Sequence, residues 1–183
     1  PDLGSASTLL VIWGGILLAS GINKRHLFML VSIGIVVAYL SWVFVLKPYQ
    51  KERLIAFVNP YKDPTGIGYN IIQSTIAVGS GYIWGRGLGR GTQSRLQFLP
   101  EYRTDFIFAA IAEELGFLGS VLIVSIYLFM IIYCFKIAGQ SQDYFGALIA
   151  SGVAGMILFQ AVINVGMNIG LLPITGITLP LLS

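Results

Sequence analysis

Charged side chains gather in one short part of an otherwise apolar chain, the segment FLPEYRTDFIFAAIAEELG at residues 98–116. Glu101, Arg103 and Asp105 stand just before an apolar run. A carboxylate next to a basic loop at a membrane surface is suited to act as a general base. Asp105 is also suited to cap a helix N-terminus, and the sequence pattern by itself favours this structural role.

Two more acids, Glu113 and Glu114, lie inside the apolar run, about 12 Å from its start at 1.5 Å per residue. A charge at the centre of a bilayer costs about 2.5–3.5 kcal/mol on insertion scales. We therefore expect at least one of the two to face a polar interior, where it is paired or protonated. Structural pairing with another helix and a direct part in chemistry are both open interpretations.

A basic, glycine-rich loop precedes this segment. Glycine occupies every second position from 85 to 91, and Arg86, Leu88 and Arg90 lie between the glycines. The spacing matches neither a nucleotide-binding P-loop nor the dinucleotide fingerprint. The loop is either a flexible connector or an anion site, in which backbone N–H groups with Arg86, Arg90 and Arg95 bind a phosphate or pyrophosphate.

Polar uncharged side chains recur in two other apolar stretches. The stretch at 66–85 contains Asn70, Gln73, Ser74 and Thr75. A later stretch has amides at positions i, i+4 and i+8, namely Gln160, Asn164 and Asn168. Residues at that spacing share one helical face. We expect both sets to face other helices or a water-filled cavity rather than lipid.

The elements that carry these residues are predicted to be membrane helices. Of the 183 residues, 56% are hydrophobic and 10% are charged, and the mean hydropathy is +0.81. Soluble domains have about 25% charged residues. The sequence therefore predicts an all-α, polytopic transmembrane helix bundle that forms one membrane domain. The predicted spans are about 3–22, 27–46, 66–85, 105–136 and 145–167, with a long loop at about 86–104.

Five alternating spans would divide the basic residues between the two sides of the membrane. One side would hold Lys47, Lys51, Arg53, Lys62 and Lys136, and the other Lys24, Arg25, Arg86, Arg90, Arg95 and Arg103. This near-equal division does not fix the orientation by the positive-inside rule. A basic loop on the outer face would instead indicate an anionic ligand.

Several long motifs of the chain resemble one known family. In order, they are PDLG, DPTGIGYNIIQSTIAVGSG, GTQSRLQFLPEYRTDFIFAAIAEELGFLG and NVGMNIGLLPITGITLPLLS. They are similar to the SEDS family of bacterial shape, elongation, division and sporulation proteins. The sequence of the central motif is more similar to the rod-shape (RodA) members than to the division (FtsW) members.

The resemblance implies a ten-helix membrane protein of the bacterial cytoplasmic membrane. This chain would correspond to helices five to nine and the start of ten, as a fragment without the first four helices or the closing YGGSS. Family members polymerise lipid II into peptidoglycan glycan strands, usually with a class B penicillin-binding protein. The loop before Asp105 would face outside, and Asp105 would be the residue on which activity rests. Arg103 stands where rod-shape members usually have His.

The chemistry of that reaction suggests roles for the residues. Asp105 would deprotonate the acceptor 4-hydroxyl, which attacks a diphosphate-linked sugar, and no second acid is needed because diphosphate is already a good leaving group. Substrate contacts are expected from Arg86, Arg90, Arg95, Arg103, Gln73, Ser74, Glu101, Glu114 and Asn164. A divalent cation such as Mg²⁺ could add positive charge. The sequence contains only one histidine, His26, and one cysteine, Cys134, so no zinc cluster is expected.

Two other functions remain open from the sequence. The same polar spans and intramembrane acids could transport lipid II across the membrane as a flippase. The protein could also be a non-enzymatic scaffold that recruits a class B penicillin-binding protein. Separately, the isolated fragment, without half of the helices of the family, is expected to be inactive.

Overall fold

The computed structural model describes residues 3–62, 66–95 and 104–183, and this part of the chain is helical, with no strand. Its helices are α1 (Leu3–Ala19), α2 (Lys24–Leu40), α3 (Pro48–Val58), α4 (Ile67–Ser80), α5 (Thr92–Arg95), α6 (Ile107–Gln140) and α7 (Tyr144–Asn168). A π-helical segment, Ser41–Val45, extends α2, and a 3-10 turn, Pro60–Lys62, follows α3. The predicted all-α class is confirmed.

Three helices are long and apolar enough to cross a membrane: α2 with its extension, α6 and α7. α1 is apolar but has only 17 residues. None of the residues of α2 is buried within the chain, and apolar side chains such as Phe28 and Phe44 are exposed. Such surfaces are stable against lipid or against other apolar helices, which agrees with the predicted membrane bundle.

α1 packs along α7 in the opposite direction. Ile12 and Ile16 of α1 lie near Gly152 of α7. The hydroxyl of Tyr144, at the start of α7, donates to the carbonyl of Ser20, just after α1, over 3.3 Å. The last turn of α1 and the first turn of α7 therefore share one end of the bundle, which we call the Ser20 end.

The first part of α6, residues 107–115, runs in the same direction as α7. The Asn164 side chain donates to the Asp105 carbonyl, and the Asn168 side chain, one turn later, accepts from the Ala109 amide. Successive turns of α7 therefore meet successive turns of this part of α6. We call residues 107–115 the short arm, and its length is about 13 Å at 1.5 Å per residue.

The rest of α6, residues 117–140, runs against α7. The chain changes direction at Gly116, whose φ of 69° and ψ of −162° are not helical. Beyond it, Tyr127 packs in one buried cluster with Ile157 of α7, and the connection 141–143 then turns the chain into α7. α6 is therefore a hairpin of a short and a long arm, rather than the single straight helix expected over 105–136.

α4 runs parallel to the short arm and very close to it. Gly81 lies against the Ala112 carbonyl, and Gly85 lies against Glu114, so closely that a Cβ on either glycine would overlap the backbone of the short arm. The later glycine contacts the later residue of the short arm, so the two segments run in the same direction. Glycine permits this approach because it has no Cβ.

The third predicted span, 66–85, does not fit a full membrane crossing. α4 has 14 residues, about 21 Å at 1.5 Å per residue, against about 30 Å for the hydrocarbon core. Consecutive membrane crossings must also be antiparallel, whereas α4 and the short arm are parallel. Arg86, bonded to Glu113, and residue 104, just before α6, therefore lie near opposite ends of the short arm, so the predicted loop at about 86–104 does not join two antiparallel spans.

The predicted division of basic residues fails for the same reason. α3, α4, the glycine-rich loop and the short arm all lie around the C-terminal end of α7, which we call the Asp105 end. Arg53 thus lies at the same end as Arg86 and Arg90. Lys24 and Lys136 lie near the Ser20 end. The five-against-six division assumed a third crossing that the structure does not have.

Two clusters of buried side chains hold the Asp105 end together. The first joins α4, the short arm, α7 and residues 169–183, which we call the C-terminal tail. It consists of Ile71, Ala77, Phe106, Ala109, Met167 and Ile174. The second joins both arms of α6 to α7 and the tail through Phe108, Tyr127, Ile131, Ile157 and Leu179. The segment around Asp105 is consequently set between two parts of one core.

Candidate active site

Asp105 lies half-buried in the turn 104–106, directly before α6. The N-cap position of α6 is occupied by Phe106, which makes no side-chain cap hydrogen bond. The N-cap position, for which the sequence pattern favoured Asp105, is therefore one residue later. An amide of the first turn is paired by another helix, because the Ala109 amide donates to Asn168 Oδ1.

The Asp105 backbone is held by two buried amides of α7. The Nδ2 atoms of Asn164 and Asn168 both donate to the Asp105 carbonyl, over 2.9 Å and 3.1 Å. The two asparagines also bond to each other, since Asn168 Nδ2 donates to the Asn164 carbonyl over 2.7 Å. The predicted polar stripe of α7 is thus an interhelical hydrogen-bonding face, as expected from its spacing.

Asn168 also joins α4 and α6. Its Oδ1 accepts from the Ala109 amide over 3.2 Å and from the Ser74 hydroxyl over 3.3 Å, and the Ser74 hydroxyl donates to the Asn168 carbonyl over 2.8 Å. Ser74, Asn164 and Asn168 are all completely buried. Ser74 and Asn164, which we expected to contact substrate, therefore use their polar atoms inside the protein, where they position Asp105.

The C-terminal tail completes the surroundings of Asp105. Asn164 Nδ2 donates to the Ile177 carbonyl over 2.8 Å as well as to Asp105, so one side chain joins the tail to the turn before α6. Gly176, with a φ of 77°, is exposed beside them. A Cβ at Gly176 would lie 3.7 Å from Asp105 Oδ2 and 4.0 Å from Arg53 Nη1. The carboxylate and the guanidinium therefore converge on one point beside Gly176.

Arg53 is the residue that sequence analysis missed at this site. It is half-buried on α3, on the same face as Gln50 and Ala56, which are 7% and 6% exposed. That i, i+3, i+6 pattern of residues turned toward the protein is the signal that could have revealed it. The incorrect third span had placed Arg53 on the side of the membrane opposite Asp105.

Glu113 anchors the glycine-rich loop. Its side chain is fully buried, and its Oε1 accepts from the Thr92 hydroxyl over 3.1 Å and from the Gln93 amide over 2.9 Å. The expectation that one of the two acids faces a polar, paired interior is confirmed for Glu113. Glu114 is half-buried, and its carbonyl accepts from the Gly87 amide over 3.0 Å.

Arg86, the first arginine of the loop, lies away from Asp105. The Arg86 amide donates to the Glu113 carbonyl over 3.0 Å, two turns beyond Asp105 and about 12 Å from it along the helix axis. The Arg86 guanidinium donates to the Ser80 carbonyl and the Thr92 hydroxyl, each over 3.2 Å. Its described contacts are those of a loop-stabilising residue.

The remaining predicted contacts are only partly placed. Arg90 is exposed in the loop, and Gln73 is half-buried on α4. Arg95 is in α5, but its side chain is outside the described part of the chain, as are Glu101 and Arg103 entirely. Their substrate contacts stay predictions.

A large apolar groove lies away from this site. It has a volume of about 1030 Å³ and lies between α1, α7 and the last turns of α6, near the Ser20 end. Its lining is almost wholly apolar, with residues such as Leu10, Leu18, Phe135 and Leu158. Such a groove fits lipid tails or membrane helices, rather than polar chemistry.

The apolar helices and the polar network around Asp105 define an integral membrane protein whose charged site lies at one end of the bundle. The chain belongs to the FtsW/RodA/SpoVE family of cell cycle proteins, whose family model matches residues 1–183. The resemblance of its motifs to this family is therefore confirmed.

Named relatives extend the comparison. The chain is 47% identical over 183 residues to peptidoglycan glycosyltransferase RodA of Treponema pallidum, covering 98% of this chain and 42% of that protein. It is 41% identical over 187 residues to peptidoglycan glycosyltransferase MrdB of Escherichia coli K12, covering 100% and 50%. Stage V sporulation protein E of Bacillus subtilis is 39% identical over 183 residues, covering 100% and 49%.

A solved structure has the same fold. One chain from a peptidoglycan synthase complex that coordinates polymerization and crosslinking matches all of this chain and 50% of its own length, with a TM-score of 0.75 and 36% identity. The chain thus spans about half the length of the relatives it matches.

Proposed function

We propose that this chain is the part of a peptidoglycan glycosyltransferase that carries its catalytic carboxylate, and that the whole protein polymerises lipid II into glycan strands during elongation or division. The names of the T. pallidum and E. coli relatives support this reaction. The observation that carries the proposal is the position of Asp105. Its backbone is fixed by Asn164 and Asn168, and its carboxylate lies beside an exposed glycine.

In the proposed step, the Asp105 carboxylate accepts the proton of the acceptor sugar's 4-hydroxyl. The resulting oxygen forms a bond to the anomeric carbon of the donor, and the bond from that carbon to the diphosphate breaks. The electron pair leaves with the diphosphate. A well-placed general base contributes about 10²–10⁴-fold to such a step. Fixing the Asp105 carbonyl restricts the position of its carboxylate, which favours this role.

A divalent cation such as Mg²⁺ is part of the proposal. Within the described residues, no group of three His, Cys, Asp or Glu side chains could hold a metal ion by itself. Mg²⁺ commonly uses only one or two carboxylates together with substrate phosphates, so Asp105 and the donor diphosphate are the set that could hold it. A bound ion would add positive charge at the leaving group. Activity measured with EDTA and then with added Mg²⁺ tests this requirement.

The proposed location of the reaction is the outer face of the bacterial cytoplasmic membrane. In the described residues, Lys47, Lys51, Arg53, Arg86 and Arg90 lie at the Asp105 end. If that end is outside, its basic residues oppose the positive-inside bias, as expected if at least one of them is retained for an anionic substrate. A cysteine at the exposed position Tyr61 should then react with an impermeant maleimide in intact cells, in a variant whose Cys134 is replaced by serine.

A class B penicillin-binding protein is the proposed partner. The structural relative is a chain of a complex that couples polymerization with crosslinking, which supports a crosslinking partner here. The experiment uses the full-length protein with that partner and lipid II. Asp105→Asn should abolish strand formation while the partner is still retained in a pull-down. The control variant Asp143→Asn, at the opposite end of α7, should leave strand formation unchanged.

The same experiment separates the other functions. If wild-type protein moves lipid II across vesicles but makes no strands, it is a transporter. If wild-type protein retains the partner but makes no strands, it is a scaffold. Normal strand formation by Asp105→Asn contradicts the assignment of Asp105 as the general base.

A further inference from the structure

Arg53 has no part in the reaction as described so far, yet its guanidinium and the Asp105 carboxylate both lie next to Gly176. The point at which a Gly176 side chain would begin is 4.0 Å from Arg53 Nη1 and 3.7 Å from Asp105 Oδ2. These are ordinary van der Waals distances, so a methyl-sized group fits at this point without a clash. Gly176 is exposed, and the space is therefore open to a ligand.

The conformation of Gly176 keeps this space free. Its φ of 77° lies in the left-handed region, which residues with a side chain rarely adopt. Asn164 stabilises the position, because it bonds to the neighbouring Ile177 carbonyl and to the Asp105 carbonyl. The tail is therefore fixed with its least bulky residue at the point where the two charged groups converge.

Arg53 is the charged residue of α3 that lies beside Gly176. The start of the helix is capped, since the Lys47 amide donates to Gln50 Oε1 over 3.0 Å. Lys51 is directed elsewhere, with its Nζ 5.7 Å from the centre of the Trp42 ring in the α2 extension. Glu52 is exposed. Among the charged residues of α3, Arg53 is the one placed beside Asp105.

A guanidinium suits a diphosphate better than it suits a single carboxylate alone. Its five N–H donors form a planar fork that binds phosphate oxygens in pairs, and it keeps its charge at all relevant pH values. One edge can face Asp105 while the other binds the ligand. The loop arginine Arg86, in contrast, is bonded to Ser80 and Thr92 two turns away.

We propose that Arg53 binds phosphate oxygens of the diphosphate-linked donor, and that Gly176 keeps open the space in which the donor lies between Arg53 and Asp105. This inference rests on the proposed function. Arg53 transfers no proton: it stabilises the negative charge that the diphosphate gains as it leaves with the electron pair of the broken bond. Asp105 and Arg53 would then act on the two ends of the same reacting centre.

The test measures binding of the product-like lipid undecaprenyl diphosphate to the full-length protein with its partner, without turnover. Arg53→Gln should weaken binding about tenfold or more, and Arg53→Lys should weaken it less, because a lysine keeps the charge but loses the fork. Lys51→Gln is the control on the same helix and should bind like wild type. With EDTA present to remove divalent cations, Asp105→Asn should bind at least as well as wild type, because it removes a nearby negative charge.

Gly176→Ala adds an independent variant in case Arg53→Gln does not fold. It introduces both a strained φ and a methyl group in the space, whereas Gly21→Ala introduces the same strain at a φ of 73° with nothing within 4 Å. We expect weaker binding for Gly176→Ala than for Gly21→Ala at equal thermal stability. Wild-type affinity in folded Arg53→Gln or in Gly176→Ala overturns the inference. If the wild-type protein binds the lipid through Arg53 but makes no strands, the proposed function fails and this binding site stands.

Discussion

The clearest structural prediction concerns Asn168, which caps α6 from another helix. Because the N-cap residue Phe106 supplies no side-chain hydrogen bond, the Ala109 amide in the first turn of α6 is paired by Asn168 Oδ1 over 3.2 Å. Asn168→Ala leaves that buried donor unpaired. The Ser74 hydroxyl keeps its 2.8 Å bond to the Asn168 backbone carbonyl, and the Asp105 carbonyl keeps its bond to Asn164.

The expected loss of stability follows from the number of hydrogen-bond partners that Asn168→Ala removes. Two buried groups, the Ala109 amide and Asn164 Oδ1, lose the partner that Asn168 supplies. Each such loss costs about 1–3 kcal/mol, so the free energy of unfolding should fall by at least that amount. The turn before α6 also loses one of the two donors that fix the Asp105 carbonyl. A displacement of about 1 Å at a reacting group can lower a rate about 10²-fold, and strand synthesis should therefore fall more than stability alone explains.

Gln160→Leu is the matched control for this prediction. Gln160 lies two turns earlier on the same stripe, and its Oε1 is buried without a hydrogen-bond partner in the described structure. Replacing an unpaired buried amide with an apolar group should be near neutral. Unfolding in mild detergent and strand synthesis are measured for both full-length variants. Equal stability and equal rates for Asn168→Ala and Gln160→Leu refute the trans-capping account.

Three other predictions use the same assays. Glu113→Ala removes the acceptor for Thr92 and Gln93, so the glycine-rich loop should be cleaved faster by protease. An unchanged cleavage rate would contradict the role of Glu113 as the anchor of this loop. Gly116→Ala should prevent folding, since a Cβ there would lie 2.6 Å from the Ile83 carbonyl oxygen at a φ of 69°, whereas Gly139→Ala, with nothing within 4 Å, should fold normally. Arg86→Gln should weaken undecaprenyl diphosphate binding much less than Arg53→Gln; an equal loss would show that the loop reaches the diphosphate.

The helices were predictable because their cause is local. Long charge-free runs can only satisfy their backbone groups as helices in a membrane, and a helix overlaps each of the five predicted ranges. The amides at i, i+4 and i+8 on α7 also predicted a polar face, and Asn164 and Asn168 form one. These inferences needed only periodicity and composition.

The position of α4 could not be predicted in the same way. Its apolar residues resemble those of a short span, but its direction is set by contacts far along the chain, between Gly81 and Ala112 and between Gly85 and Glu114. The reversal at Gly116 depends on the same contacts. Once α4 was taken for a crossing, Arg53 was assigned to the wrong side. The error at the site therefore came from topology, and not from the chemistry of the residues.

The central claim is that the Asp105 carboxylate accepts a proton in the formation of the glycosidic bond. The most direct test is the rate of first bond formation by full-length Asp105→Asn, under conditions in which it binds undecaprenyl diphosphate as well as wild type. We predict a rate about 10²–10⁴-fold below that of wild type, the contribution expected of a general base. A rate equal to that of wild type would contradict the account.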